Sequence, residues 1–355
     1  MARKQPSAVQ ADPSDLRALL AQAQAPWLGP QRDQLLAARR DGRLPHGILL
    51  HGPAGAGQAG LALWTAHMAL CENAADAPCG RCASCILFLA GNHPDFYSLE
   101  LEEKASFIKV DQVRELCARL ALRSFRGAGK VAIIDPADRM NINANNALLK
   151  TLEEPPEETL LILAVSRLDR LPRTVVSRCQ RMKLATPPAD EAIAWLEGRN
   201  RRDDWQDLLG LAAGAPFRAL EMAEEGAGEL SGEMARILAE AVGAGPFDPL
   251  GVAASWSKDR PADRLAWLER WVEQSIRAEA SGGDVVNNNR DLRLPTAGTG
   301  LNIRAAFRLL DRLRDARALL EGSLNTQLMF EDLLVQLVET LAGRTAGRTE
   351  TRGWN

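Results

Sequence analysis

His46-Gly-Ile-Leu-Leu-His-Gly-Pro-Ala-Gly-Ala-Gly-Gln-Ala-Gly60 is the stretch on which the reading of this chain turns. An apolar run, Ile48-Leu49-Leu50, enters a glycine-rich turn, and an apolar helical pattern follows from Leu61. Strand, loop and helix in that order are the setting of a phosphate-binding loop, G-x-x-x-x-G-K-[ST]. Gly52 and Gly57 take the two glycine positions, with Gly55 between them. Where Lys and Ser or Thr belong, the chain has Gln58 and Ala59. The backbone N–H groups can still face an anion at a helix N-terminus. The ammonium that reaches the β/γ-phosphates and the hydroxyl that holds magnesium are missing. The stretch therefore reads as a nucleotide-binding fold stripped of its own nucleotide chemistry, and no bound ATP or magnesium is expected.

Outward from the loop, alternating strands and helices argue for a parallel α/β sheet up to about residue 186. Residues 1 to about 25, polar and rich in Ala and Gln, read as a loose arm, and Trp27 to Arg40 as a short amphipathic helix. Lys130-Val-Ala-Ile-Ile-Asp135 is an apolar run ending in an acid, as a buried parallel strand would. Nucleotide hydrolases keep a magnesium-binding Asp there, often followed by a catalytic Glu; here Pro136 follows, and proline cannot polarise water. Asp138 is expected to cap the next helix and Asp111 the helix before it. Asn141 to Leu152 reads as a helix stopped by Glu153-Glu154-Pro155-Pro156. Leu160 to Val165 is a buried strand with Ser166 at its C-terminal end, where open α/β sheets face their ligands. Met182-Lys-Leu184 fits a last strand, and His93, beside Pro94, reads as a turn residue rather than a catalytic one.

Four of the six cysteines, Cys71, Cys79, Cys82 and Cys85, fall within fifteen residues. Two consecutive C-x-x-C spacings suit tetrahedral thiolate ligation, with Gly80 easing the knuckle and Cys71 as the fourth ligand. Structural zinc is expected, because four sulfurs leave no open position for substrate. Buried free thiols or a redox pair are the alternatives.

After Pro187-Pro188 the texture is helical. Gly243 to Pro246 reads as a linker and Gly282 to Gly300 as a mobile connection. Trp256, Trp267, Trp271 and Ile276, then Phe307, Leu309, Leu310, Leu313, Ala316 and Leu320, mark apolar helix faces. Asn325 caps a last helix bearing Leu328, Met329, Leu333 and Leu337, and the tail from Gly343 reads as disordered. The 355 residues imply two or three domains. A net charge of −3 carries no global basic field for nucleic acid. No apolar run reaches transmembrane length, and the N-terminus lacks a signal-peptide core, so a cytoplasmic location is expected.

Ala147-Leu-Leu-Lys-Thr-Leu-Glu-Glu-Pro-Pro156, Ser177-Arg178-Cys179, Gly91-Asn-His-Pro-Asp95 and the tetracysteine insert together resemble the clamp-loader family of bacterial DNA polymerase III. Within that family the damaged loop and the missing Glu after Asp135 resemble the delta prime type rather than the ATPase type. The resemblance implies an AAA+ domain with a zinc module (1–186, insert 71–85), a helical lid (187–243) and a helical collar (244–355). It implies a pentameric assembly with ATPase subunits and a delta subunit, reaching the sliding clamp and primer-template DNA through the complex. No intrinsic ATPase follows, only membership of a DNA-directed polymerase holoenzyme. Arg178 matches the family's arginine finger, acting on the nucleotide of a neighbouring subunit, against the alternative of a solvated surface Arg. Ser166 matches the sensor-1 region and Arg218 the sensor-2 position. Two other readings stay open. An active ATPase has Gln58, Ala59 and Pro136 against it; a zinc-dependent nucleic-acid-binding protein has the mild acidity against it.

Overall fold

The structure, a computed structural model, describes residues 13–102, 105–127, 129–242, 247–280, 303–320 and 325–346. Two units separate: one holds the residues up to Ala192 together with Gly214–Arg218, the other Ile193–Ala213 and the residues from Ala219 onward.

The first unit is a parallel α/β domain built on five strands: β1 (Gly47–His51), β2 (Phe96–Glu100), β3 (Lys130–Asp135), β4 (Thr159–Val165) and β5 (Gln180–Lys183). They lie in the order β2-β3-β4-β1-β5, and every pairing is parallel. The central strands are continuous apolar runs because both sheet faces are covered. Leu49, Ala132, Ile134, Leu161 and Leu163 join the core under α5 (Val110–Leu120) and α6 (Ile142–Glu153). The alternate residues, by the period of two, face α3 (Gln58–Leu70), which is buried on nearly every side. The edge strand β5 is short and exposes Gln180, Arg181 and Lys183, which discourages further pairing.

Several expectations need correction. Pro13–Gln22 is a helix, α1, with Leu16 buried; it lies against α3 where a Cβ on Gly60 would come 2.7 Å from the Leu19 carbonyl. An alanine-rich segment with Pro at its first turn is a good helix former once it has a partner to cover; residues 1–12 lie outside the described residues. The expected helix from Trp27 is a 3-10 turn, Pro26–Leu28, followed by α2 (Gly29–Arg40). Asp111 is not an N-cap, because α5 starts at Val110 and the Gln112 side chain accepts the Lys109 N–H at 2.8 Å. Asp138 does not cap α6 either. Asn141 does, accepting the Ala144 N–H at 2.8 Å, while Asp138 accepts the Arg167 N–H at 3.1 Å.

The second unit is helical: α9 (Trp205–Leu211), α11 (Ala227–Val242), α12 (Pro249–Trp256), α13 (Pro261–Ala280), α14 (Ile303–Leu319) and α15 (Thr326–Ala346), with the C-terminal parts of α8 (Ala189–Glu197) and α10 (Pro216–Glu224). Trp256 meets Phe330 edge-on at 5.6 Å, and Trp267 donates to Ser231 Oγ at 2.9 Å. Buried Arg264 is held by Glu233 and Asp259, so this tryptophan-rich core keeps that buried guanidinium paired. Leu309, Leu310, Leu313 and Ala316 are buried as expected, but Phe307 is 50% exposed and Leu328 60%. Asn325 caps α15 through the N–H groups of Gln327 and Leu328, and the helix runs past Gly343 to Ala346. The linker 243–246 and the connection 282–300 lie outside the described residues. Among the described residues no helix is long and apolar enough to cross a membrane.

Candidate functional site

The glycine-rich turn spans Gly52–Gly57 between β1 and α3. Its glycines are demanded by close approach. A Cβ on Gly52 would stand 2.3 Å from the Leu184 carbonyl; on Gly55, at φ +78°, it would stand 2.5 Å from Arg218 Cβ and N. On Gly57, at φ +112°, it would meet Leu28 Cδ1 at 2.7 Å and Phe217 Cε2 at 3.0 Å. The Phe217 N–H donates to the Gly55 carbonyl at 3.2 Å, and Trp27 Nε1 donates to the Ala56 carbonyl at 3.3 Å. Phe217 and Trp27 also meet as a tilted ring pair, 5.5 Å between centroids. Arg218, the sensor-2 match, is thus part of the packing over the loop.

Gln58 stands where a P-loop has its lysine. Its buried carboxamide donates to the Gly52 carbonyl at 2.7 Å and the Pro53 carbonyl at 2.8 Å. Both amide hydrogens tie the loop to itself, and Ala59 has no side-chain hydroxyl to offer a metal. At the end of β3, burial, reinforced by the carboxylates of Glu100 and Asp138, pushes Asp135 up to about 7. Ser166 is exposed just beyond β4.

Arg178 sits in the turn between α7 (Arg173–Val176) and β5. Its Nη2 lies 2.6 Å from Glu153 Oε1, and its Nη1 donates to the Thr174 carbonyl at 2.9 Å. The Arg178 carbonyl would be 3.4 Å from a Cβ on Gly47, which places Arg178 beside the first residue of β1. The glycine-rich loop begins after the last. Five residues of strand separate the two, roughly 16 Å at about 3.3 Å per residue. The structure keeps Arg178 away from its own loop.

The four cysteines do converge, with all Sγ atoms within 4.8 Å of one another. Cys71 ends α3, Cys79 lies in the intervening turn, and Cys82 caps α4 (Ala83–Leu89), accepting the Cys85 N–H at 3.3 Å. Cys71–Cys82 and Cys79–Cys85 are each 3.9 Å apart, Sγ to Sγ. A tetrahedron of sulfurs about 2.3 Å from a central ion has edges of about 3.8 Å, so the donor set fits one metal ion. Gly80, at φ +69°, makes the knuckle with no neighbour within 4 Å of a Cβ. N–H groups of residues 79 and 82 also point at sulfurs, at 3.4 Å, which favours thiolates. Hydrogen bonds from the backbone of Arg81 and Cys82 hold Cys79 down at about 6, whereas burial pushes Cys71 and Cys85 up. The Arg39 guanidinium donates to the Cys71 carbonyl and is attracted by the sulfurs of Cys71, Cys85 and Cys82.

Sequence reasoning missed the fastening of this module. His93 Nδ1 accepts the Asp95 N–H at 3.2 Å, so Nε2 donates to Ser84 Oγ, 2.5 Å away on α4. Buried Asp95 accepts the N–H groups of Phe125 and Arg126 at 2.8 and 2.9 Å, and Arg126 reaches Glu72 at 2.7 Å. The Asn-His-Pro-Asp stretch is therefore a buckle between the cysteine module and the sheet. Glu153 was also missed, although it stands in a quoted motif; a carboxylate at a helix end facing a basic segment was its signal.

A family model described as "DNA polymerase III, delta subunit" matches residues 30–188, and "DNA polymerase III, delta subunit, C terminal" matches 236–339. The DNA polymerase III subunit delta' of Pseudomonas aeruginosa is 33% identical over 326 residues, covering 88% of this chain and 96% of that one. The subunit delta' of Escherichia coli is 34% identical over 265 residues, covering 74% and 79%. Among solved structures, a DNA polymerase III gamma subunit-related protein of Thermotoga maritima aligns with a TM-score of 0.43 and 17% identity, over 87% of this chain and 99% of that one.

Proposed function

This chain belongs to the DNA polymerase III delta' family, and from that premise we propose that it is a non-catalytic clamp-loader subunit whose Arg178 acts on a neighbour's nucleotide. It works beside ATPase subunits and a delta subunit in a pentamer that loads the sliding clamp onto primed DNA, in the cytoplasm. Residues 187–243 serve as lid and 244–355 as collar.

The observation that carries this reading is the separation of Arg178 from its own loop by the length of β1. A guanidinium on that sheet edge can serve a nucleotide only if another subunit brings it. There its planar fork binds γ-phosphate oxygens bidentately and stabilises charge as the phosphoryl group transfers. In well-studied GTPases such a finger is worth roughly 10³–10⁵-fold in rate. Gln58, tied to loop carbonyls, and Phe217 and Arg218, lying over Gly55, support the absence of hydrolysis by this chain itself. The cysteines would hold zinc, which, closed by four thiolates, fixes the module and takes no part in chemistry.

Reconstitution with the ATPase subunits tests the reading. Arg178→Ala should leave assembly intact and lower clamp- and DNA-stimulated ATP hydrolysis. Unchanged hydrolysis removes the trans role, and appreciable turnover by this chain alone removes the non-catalytic one.

A further inference from the structure

We propose that Glu153 is a positioning residue that restrains the Arg178 guanidinium within its own subunit until a neighbour's nucleotide phosphates displace it; the inference rests on the trans role just proposed. The geometry is specific. Arg178 Nη2 meets Glu153 Oε1 at 2.6 Å while Nη1 donates to the Thr174 carbonyl at 2.9 Å. Both terminal nitrogens, the pair that would grip a phosphate, thus face acceptors of the same chain. The side chains are 35% and 49% exposed, so the pair is open to an incoming anion.

The contact stands on a frame. His46 Nε2 lies 3.2 Å from the carbonyl of Leu152, the residue before Glu153. A Cβ on Gly47 would meet Leu152 Cδ2 at 3.3 Å and the Arg178 carbonyl at 3.4 Å. Gly47, the first residue of β1, thus has Arg178 against it through its carbonyl and Leu152, the neighbour of Glu153, through its side chain, and holding the pair costs less ordering than joining two free surface side chains. Glu153 is the last residue of α6, where the helix's partial negative charge adds to the attraction for a cation.

A half-exposed pair of this kind is a weak restraint. A nucleotide phosphate brings more negative charge and several acceptor oxygens to the same fork, and wins the exchange. The Arg is thereby kept from other anions until a nucleotide arrives, and part of the finger's contact energy is used in breaking the Glu153 pair.

The test has two arms, using the full chain and the reconstituted complex. In the free chain, an arginine-selective dicarbonyl reagent followed by peptide mass spectrometry reads the accessibility of Arg178. Glu153→Gln, which keeps shape and removes charge, should raise that labelling roughly two- to five-fold, the range a half-exposed ion pair can bias. In the complex, the same variant should raise ATP hydrolysis measured without primed DNA by a similar factor, and adding Arg178→Ala should abolish the gain. Unchanged labelling, with Arg178→Ala still impairing hydrolysis, overturns the restraint and leaves the trans role standing. Raised labelling with Arg178→Ala inert overturns the trans role instead. Raised labelling with reduced hydrolysis in Glu153→Gln also overturns the restraint, because Glu153 would then be orienting the finger rather than withholding it.

Discussion

Replacing Gln58 with Met tests whether the glycine-rich loop is held together from inside. Methionine matches the length and flexibility of the side chain and leaves little cavity, so the change isolates the two amide hydrogen bonds, 2.7 Å to Gly52 and 2.8 Å to Pro53. Pro53 is exposed, and its carbonyl keeps the Ala56 N–H at 3.1 Å and gains water when the amide is gone. Gly52 is less exposed than Pro53, so its carbonyl relies more on the amide. One recoverable bond and one carbonyl left largely unsatisfied give a loss of about 1.5–3 kcal/mol. For a unit of this size each kcal/mol shifts Tm by about 2–4 °C, so a fall of roughly 3–12 °C is expected. Calorimetry on the full chain, following the transition of the unit that carries the loop, reads it directly. A shift below about 1 °C would mean that both carbonyls are hydrated or rebonded at little cost. The loop would then owe its shape to Phe217, Trp27 and Leu28 alone.

Three further outcomes follow from the same geometry. Arg178→Lys should impair stimulated hydrolysis in the complex nearly as much as Arg178→Ala, since an ammonium cannot span two phosphate oxygens; hydrolysis close to wild type would show that charge alone suffices. Fresh, reduced protein should carry one equivalent of zinc by metal analysis and lose it on acidification, because protons compete for the thiolates; Cys85→Ser should lower the content below half an equivalent. Burial, with a smaller contribution from His93, holds His67 at about 4 against an ordinary 6.5. The unfolded chain takes up this proton first, so the stabilising contribution is full above about pH 6.5 and is lost as pH falls toward 4. His67→Phe, which can keep the stacking on Phe88 at 4.8 Å, should therefore lose about 1–3 kcal/mol less stability than wild type between pH 7 and 4.5, by denaturation at each pH. Parallel curves for the two proteins would argue that His67 is hydrated in the folded state.

The strands were legible because a parallel sheet covered on both faces demands continuous apolar runs, as in Leu160 to Val165. The cysteine cluster was legible because ligand spacing is a local constraint, and its four Sγ atoms do converge. Less visible was whatever depends on a distant partner. The first turns of α1 look like a polar arm until α3 supplies a surface at Gly60. Asp138 looks like a cap until the Arg167 N–H claims it from another strand's end. Leu328 belongs to an apolar stripe in sequence, yet it lies on the outer side of α15 while Met329 and Leu333 face the core. Hydrophobic spacing fixes the period of a helix more firmly than the width of its buried face. Glu153 showed in sequence as a helix-end carboxylate, but its pairing with Arg178, 25 positions away, depends on the frame at Gly47, where β1 brings the two segments together.

That frame bears on why the loop keeps its glycines without its lysine. If the glycines served only a phosphate, the loss of Lys and of the Ser or Thr hydroxyl would leave them free to change, at the cost of a little loop entropy. The structure gives them another duty. Gly52 lets the chain pass the Leu184 carbonyl at the end of β5, Gly55 admits the backbone of Arg218, and Gly57 admits Leu28 and Phe217. Any side chain at Gly52 or Gly55 would have to displace backbone atoms, and Gly55 and Gly57 carry positive φ besides. Retained glycines beside absent catalytic groups are thus what close packing alone would produce. The same turn that cradles phosphate in an active enzyme here joins β5, the segment before α2 and the start of α10 into one body. The trans role proposed for Arg178 would need that body rigid, because a finger misplaced by an ångström loses much of its effect.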